Sequence, residues 1–561
     1  MNKFNLVDDK WIIVLNNDYK KEKLSLKELF ENTQNIQFLA GEAQAQNFVI
    51  MRFLLSILHT VFSRVDIDGN PYEYLEIDDK YFQLKDVEEE DSEDYIDDLY
   101  ETWEKIWNNK KFPNVVIDYL EKNKDSFEFF DDKRPFMQVK RENVEGIVNL
   151  DDGDKITKSR TYFMTMNINV GETRNSVNIF NKKAKDKNIA TPDEIVRWFL
   201  FYQNHSGTGE KDLFKNAKYK NGKSIGWTYT LGATFFRGNN LFDTLMLNFA
   251  LVHPVEYFNT NKQRPIWEYN PEEIMKNRVA EKEIDNLAEL YTVPSRATYI
   301  DPDFNLNEDF YLRSVKYPAI RRENQNLEIM TLWESKKDEK KDTISNYPKK
   351  YDNPSSLWKS FGTITNQYKD VWGTGIFDFL ENIHDYLNDE EISLVGLSIS
   401  DNNNKASMKL TGEVYNELII EDNILTNNDW KGRITGEVEK TKKIIEKSYG
   451  IFLENLSSLK GIYGNTQKTF IKQNKEKIYF RLTEPFEEWI SDLKVDDNKD
   501  ERMLEWRKTL NEIIQEEINQ FIENLNPKDY EFRDGKNIIT IYNDFQYFLQ
   551  KEIKLWRENG E

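Results

Sequence analysis

A change of hydrophobic rhythm near residue 410 constrains the fold more than any other feature of this chain. Beyond it, apolar residues recur every three or four positions to the end. Met503, Trp506, Leu510, Ile513, Ile518, Phe521 and Leu525 mark one helical face. Val438, Ile445, Tyr449, Phe452, Leu456 and Leu459 mark a second, and Ile538, Ile541, Phe545, Phe548 and Trp556 a third. Residues 478–493 supply a further helix, kinked or restarted at Pro485, because proline lacks the amide donor and crowds the preceding turn. Helices with one apolar stripe and short connections bury those stripes against each other, which predicts an all-α C-terminal four-helix bundle over residues 409–561.

Before residue 409 the pattern is mixed. Residues 11–15 read as a strand, and Ser25-Leu26-Lys27-Glu28 has the spacing of a capping box. Phe48, Met51, Leu55 and Leu58 predict an amphipathic helix over 44–62, and Tyr95, Leu99 and Trp103 one buried stripe on a helix through the acidic run 86–101. Thr191-Pro192-Asp193-Glu194 opens another helix, with threonine as cap, proline in the first turn and acids at the positive end. His205-Ser206-Gly207-Thr208-Gly209 ends it. Residues 225–400 show no βα alternation, so residues 1–408 read as an α+β domain of short strands and helices. A chain of 561 residues is in any case too long for one hydrophobic core.

Composition narrows the function. No cysteine is present, which excludes disulfides and thiolate zinc sites. No unbroken apolar run and no signal pattern suggest a membrane partner or export, so a cytoplasmic location is expected. The four histidines, His59, His205, His253 and His384, have no metal-ligand spacing, and His59 and His253 read as structural. There is no serine-nucleophile elbow and no phosphate-binding loop. Asp131-Asp132 and Asp151-Asp152 would be the carboxylates of a metal-dependent nuclease, or solvated turns. A formal charge of −22 argues against indiscriminate binding to nucleic acid. The stretch 181–223 is nevertheless locally basic, with Lys182, Lys183, Arg197, Lys211 and Lys215 among its cations. It is either a DNA-facing patch or a solvated surface. A binding protein without catalytic residues, metal or cofactor fits this inventory best; a pure scaffold and a nuclease are the alternatives.

Several blocks point further. They are residues 4–12 (FNLVDDKWI), 38–42 (FLAGE), 133–138 (KRPFMQ), 237–248 (RGNNLFDTLMLN), 265–268 (PIWE) and 480–486 (FRLTEPF). In this order and over this length they resemble the CasA family, the large subunit of the type I-E CRISPR surveillance complex Cascade. The resemblance implies a non-catalytic subunit at the foot of the crRNA-bound complex. Such a subunit recognises the protospacer-adjacent motif in double-stranded DNA from the minor groove, promotes unwinding and R-loop formation, and recruits a separate helicase-nuclease for antiviral defence. Its partners would be the Cascade backbone subunits, the crRNA 5′ handle and target DNA.

Residue by residue, the resemblance implies a glycine loop at Gly207, Thr208 and Gly209 with Lys211 beside it. It implies a wedge hairpin at Asn403, Asn404 and Lys405, where lysine stands in place of the family's glutamine. A minor-groove cation would come from Lys316, Arg321 or Arg322. Arg174, Asn178, Phe180, Lys182 and Lys183 fall in the family loop that docks at the crRNA handle. Some relatives carry a cysteine zinc site, which this chain lacks the residues to build.

Overall fold

The computed structural model describes all residues except 1, 145–147, 150–154, 157–159, 168–185, 208–211, 215–224, 323–324, 339–341, 369–372, 388–389, 402–409, 524, 534 and 559–561. The chain folds as two compact units, each assembled from three stretches of sequence. One comprises Met1–Lys350, Thr374–Tyr386 and Gly396–Tyr415; the other comprises Tyr351–Gly373, Leu387–Val395 and Asn416–Glu561.

The larger unit is organised around the helix Gln44–Phe62. The sequence predicts an amphipathic helix here. Instead, all but two of its residues are buried, Arg52, Ser56 and His59 included. By length and composition it could cross a membrane, yet 94% of its apolar window lies inside the protein, as befits a core helix. Against it pack the helices Leu287–Thr292, Pro192–His205, Val115–Lys122 and Leu241–Asn248; the same unit holds the antiparallel strands Ile12–Asn16, Lys21–Leu24 and Ile36–Leu39, and the antiparallel pair Tyr311–Lys316 and Arg296–Tyr299. Local signals act where the sequence places them: Ser25 and Glu28 form a capping box, as do Thr191 and Glu194. Helix Ser92–Asn109 buries Tyr95, Leu99, Trp103, Ile106 and Trp107 on the stripe below its acidic face.

Three clusters of buried charge in this unit are ion-paired. Arg52 and Glu328 are about 1% and 0% exposed and make two hydrogen bonds of 3.0 and 2.9 Å. Arg64 holds Glu268 in the same way, at 2.8 and 2.9 Å, and the Tyr119 hydroxyl donates to Glu268 at 2.8 Å. Arg197 belongs to a third cluster: it binds Glu42 and Asp193 and is 2% exposed, so it contributes nothing to a basic surface.

The buried histidines make stability depend on acid. Burial holds His59 and His205 at about 3 and His253 at about 4; the charge of His253 adds to the effect on His59, and those of Lys350 and Arg52 to that on His205. In the unfolded chain these imidazoles take up protons near pH 6.5. Between that pH and about 4 the unfolded state therefore binds protons that the native state refuses. Stability present above pH 6.5 should fall by about 1.4 kcal/mol per pH unit for each such histidine. Urea midpoints at pH 7.5 and 5.0 test this, and an unchanged midpoint would contradict it.

In the second unit the helical region is long. Asn428–Lys443, the π-helical turn Ile444–Tyr449 and Gly450–Leu459 follow one another directly, then come Gly464–Ser491, Lys499–Glu523 and Ile538–Glu558. Pro485 lies inside Gly464–Ser491, which the backbone carries through as one helix. The buried stripes differ slightly from those read in the sequence. Met503, Trp506, Leu510, Ile514 and Ile518 are buried, whereas Ile513 is half-exposed; Leu549 is buried where Phe548 is 45% exposed. A strict 3.5-residue spacing drifts off the face of an ordinary helix within a few turns, so the buried set advances mostly by four. Ring contacts join the segments, Phe486 to Trp506 at 5.1 Å and Phe452 to Phe545 at 5.4 Å. Lys440, Lys442 and Lys443 are ion-paired with Glu437, Glu439 and Glu552, so this stretch reads as a solvated helix face.

Candidate nucleic-acid interface

Within the larger unit, the stems of two of the expected DNA-facing segments are anchored by one short turn. Helix Pro192–His205 ends at Ser206, whose backbone is extended. The Ser206 carbonyl accepts a hydrogen bond from the Gly226 amide at 2.9 Å, closing the neck of the loop that begins at Gly207. Glycine is required at 226 by proximity. A Cβ there would lie 2.1 Å from the Asn204 carbonyl oxygen and 2.7 Å from the His205 nitrogen.

Two arginines hold this neck. The buried Arg296 donates to the Gly207 carbonyl at 2.9 Å and to that of Tyr202 at 3.3 Å, with its guanidinium 4.6 Å from the Tyr202 ring. Arg322 donates to the Gly226 carbonyl at 2.5 Å and to that of Trp227 at 3.1 and 3.2 Å. Carbonyls at a chain crossing thus acquire charged donors, which bind them about twice as strongly as neutral ones. Farther along, Asp212–Leu213 pairs with Val148–Asn149, and both Asp212 and Leu213 are buried.

The turn Trp227–Thr230 connects this neck to the core. Trp227 Nε1 donates to Glu328 at 2.8 Å, and Thr228 Oγ1 bonds the Asn204 carbonyl at 3.0 Å and the His205 ring. Lys350 sits 4.8 Å above the Tyr229 ring, where burial and the negative charge of Asp401 raise the phenol's pKa.

Asp401 ends the strand Glu391–Asp401, whose neighbours in the sheet are Leu410–Glu421 and Ala233–Arg237. The two long strands are hydrogen-bonded neighbours, and the eight residues 402–409 join them. The connecting residues, the expected wedge among them, lie outside the described residues; the two strands are the stem of a hairpin. Its first strand is held by Lys350, which donates to the Ile399 carbonyl at 3.0 Å and lies 3.6 Å from Asp401. Its second is held by Glu413, whose carboxylate accepts the Gln44 and Ala45 amides at 2.9 Å each. Glu413 thereby caps the core helix, whose own cap residue, Ala43, has no side chain able to do so. His205, Thr228, Arg52, Leu397 and Ser398 line one cavity of about 10 Å³, so neck and hairpin pack on the same core.

Of the residues singled out in the sequence, Gly207 lies at this neck, and Arg322 is committed to it. Lys316 is half-buried at the end of strand Tyr311–Lys316, paired in register with Arg296. Arg321 is exposed and has no hydrogen bond or ion pair among the described residues. Thr208, Gly209, Lys211, Asn403, Asn404, Lys405, Arg174, Asn178, Phe180, Lys182 and Lys183 lie outside the described residues. Asp151-Asp152 does too, while Asp131 spends its carboxylate on the amides of Lys133 and Arg134, as a turn former does.

The blocks that carry the resemblance build the frame. Asn5 binds the Lys124 carbonyl and Glu128; Gln138 links the Phe129 carbonyl to the Ile300 amide; Asn248 clasps both backbone groups of Phe236. A family model for CRISPR-associated protein Cse1 matches residues 5–516. The chain belongs to the Cse1 family. These are the CasA-type large subunits of Cascade, and solved Cse1 structures share the fold. Cse1 of Thermobifida fusca aligns with a TM-score of 0.75 at 19% identity, covering 98% of each chain. CasA of Thermus thermophilus aligns at 0.68 and 16%, over 98% of this chain and 100% of that one. A chain from a CRISPR RNA-guided surveillance complex aligns at 0.63 and 13%, over 98% and 100%. Comparison with curated proteins gives no match.

Sequence reasoning missed Gly226, Arg296, Trp227, Lys350 and Glu413. Glu328 and Arg52 did leave a signal: each is a lone charge inside an apolar run, opposite in sign to the other.

Proposed function

We propose that this Cse1-family chain is the non-catalytic large subunit of a crRNA-guided type I-E Cascade complex, acting in the cytoplasm. In this reading, the larger unit recognises the protospacer-adjacent motif in duplex DNA and docks on the complex, and the long helical segments from Asn428 onward form the four-helix bundle. Loop 207–211 approaches the minor groove, where glycine allows close backbone contact. The tip 403–405 separates the first base pair, with Lys405 as the wedge. Arg321, exposed and unpaired among the described residues, is the favoured third element, since the guanidinium of Arg322 is already engaged. The segment 174–183 meets the crRNA handle and backbone subunits, and the assembled complex recruits a helicase-nuclease.

One observation carries this reading: the stems of the glycine loop and of the hairpin are fastened to the same turn, Trp227–Thr230, in a protein whose family is CasA. Minor-groove readout is degenerate, so recognition should discriminate A·T from G·C flanks more than individual bases. Binding of a target duplex to a crRNA-loaded backbone, with and without this subunit and with the flanking bases varied at fixed salt, tests it. Tight binding should require both the subunit and a particular flank. Binding indifferent to the flank would leave a scaffold.

A further inference from the structure

We infer that Lys350 is a positioning residue for the strand-separating hairpin, coupling it to the glycine-loop neck. This rests on the proposed reading of loop and hairpin.

Each hairpin stem is held by a charged side chain from elsewhere in the unit or reaching elsewhere in it. On the outgoing strand, Lys350 grips the Ile399 carbonyl and Asp401, the last described residue before the tip. On the returning strand, Glu413 grips two amides at the start of the core helix. The two grips differ in their surroundings. Glu413 ties its strand to the rigid core alone, whereas Lys350 also packs on Tyr229, two residues after Trp227 and three after Gly226. Gly226 in turn holds Ser206 and Thr228 holds Asn204, while Arg322 fixes the carbonyls of Gly226 and Trp227. A path of direct contacts therefore runs from Gly207 and Ser206 through 226–229 to Lys350 and Asp401. A displacement of the loop neck against DNA reaches the hairpin by this path. Lys350 is half-buried, and its side chain is only 23% exposed, so its contacts are partly shielded from water and salt.

The test uses Lys350→Met, with Lys350→Arg as the conservative replacement and Glu413→Gln as a hairpin variant off the path. In the isolated full chain, amide hydrogen exchange is followed at residues 226–230, 396–401 and 410–415. Lys350→Met should speed exchange in both 226–230 and 396–401 by about 10-fold, the loss expected for one charged hydrogen bond. Of these three segments, Glu413→Gln should affect 410–415 alone. In the crRNA-loaded complex, affinity for a motif-bearing duplex and opening of its first base pair, read with a fluorescent base analogue, are measured separately. Lys350→Met should lower opening about 10-fold and affinity less than about 3-fold, and Lys350→Arg should restore most of the opening. Exchange confined to 396–401, equal losses of affinity and opening, or unchanged opening would each overturn the assignment. If the wild-type complex binds without regard to flank, the functional reading fails. The exchange arm still decides whether neck and hairpin are coupled.

Discussion

Gly226→Ala is expected to destabilise the larger unit by about 3 kcal/mol and to abolish flank-dependent DNA binding. The added methyl would meet backbone rather than a flexible side chain: 2.1 Å from the Asn204 oxygen and 2.3 Å from its carbon. Neither can turn aside, so the neck must open. Opening breaks the Ser206–Gly226 hydrogen bond and pulls the Gly226 carbonyl from Arg322. Gly412 provides the control, because nothing lies within 4 Å of a Cβ there. Gly412→Ala should leave stability within about 0.5 kcal/mol and binding intact. Thermal unfolding and duplex titration of both variants decide the matter; equal behaviour would mean the close approach at 226 does not matter.

Removing Glu328 should be as damaging for a different reason. Its carboxylate accepts two bonds from Arg52, one from Trp227 and one from the Met330 amide at 3.1 Å, with no exposure to water. Glu328→Ala leaves the Arg52 guanidinium buried against the Tyr291 ring, 4.0 Å away, without a counter-charge. The cost for such an orphaned charge is about 3–5 kcal/mol, a large part of the stability of an ordinary domain. Arg52→Met combined with Glu328→Met should lose less than Glu328→Ala, since no charge then stays buried. Urea unfolding of the single and double variants reads the difference directly. A single variant within about 1 kcal/mol of wild type would show that water reaches the pair.

How far the sequence carried depends on the range of each interaction. Ser25 with Glu28 and Thr191 with Glu194 act within one helical turn, so spacing alone reveals them. The stripe Tyr95, Leu99 and Trp103 is likewise periodic and local. No periodicity announces that residues 351–373 and 387–395 belong with the C-terminal helices. The candidate site is built mostly from pairings remote in sequence, such as Glu413 with Gln44 and Arg296 with Gly207. A single chain gives no hint of such partners. The recognisable family blocks lie in the frame, where Asn5, Gln138 and Asn248 clasp backbone. They tell what the chain is akin to without telling which residues would meet a partner.

The way each compact unit gathers three stretches of sequence governs how the protein can be made. During synthesis the larger unit lacks part of itself until Tyr415 has emerged, because Thr374–Tyr386 and Gly396–Tyr415 belong to it. The second unit opens with Tyr351 but draws most of its residues from the end of the chain. A ribosome releasing this chain in order therefore holds two unfinished units at once over residues 351–415. Their exposed apolar segments would need chaperone cover during that interval. For the same reason no single cut frees either unit whole, and exchange of parts between relatives would have to respect every crossing of the chain.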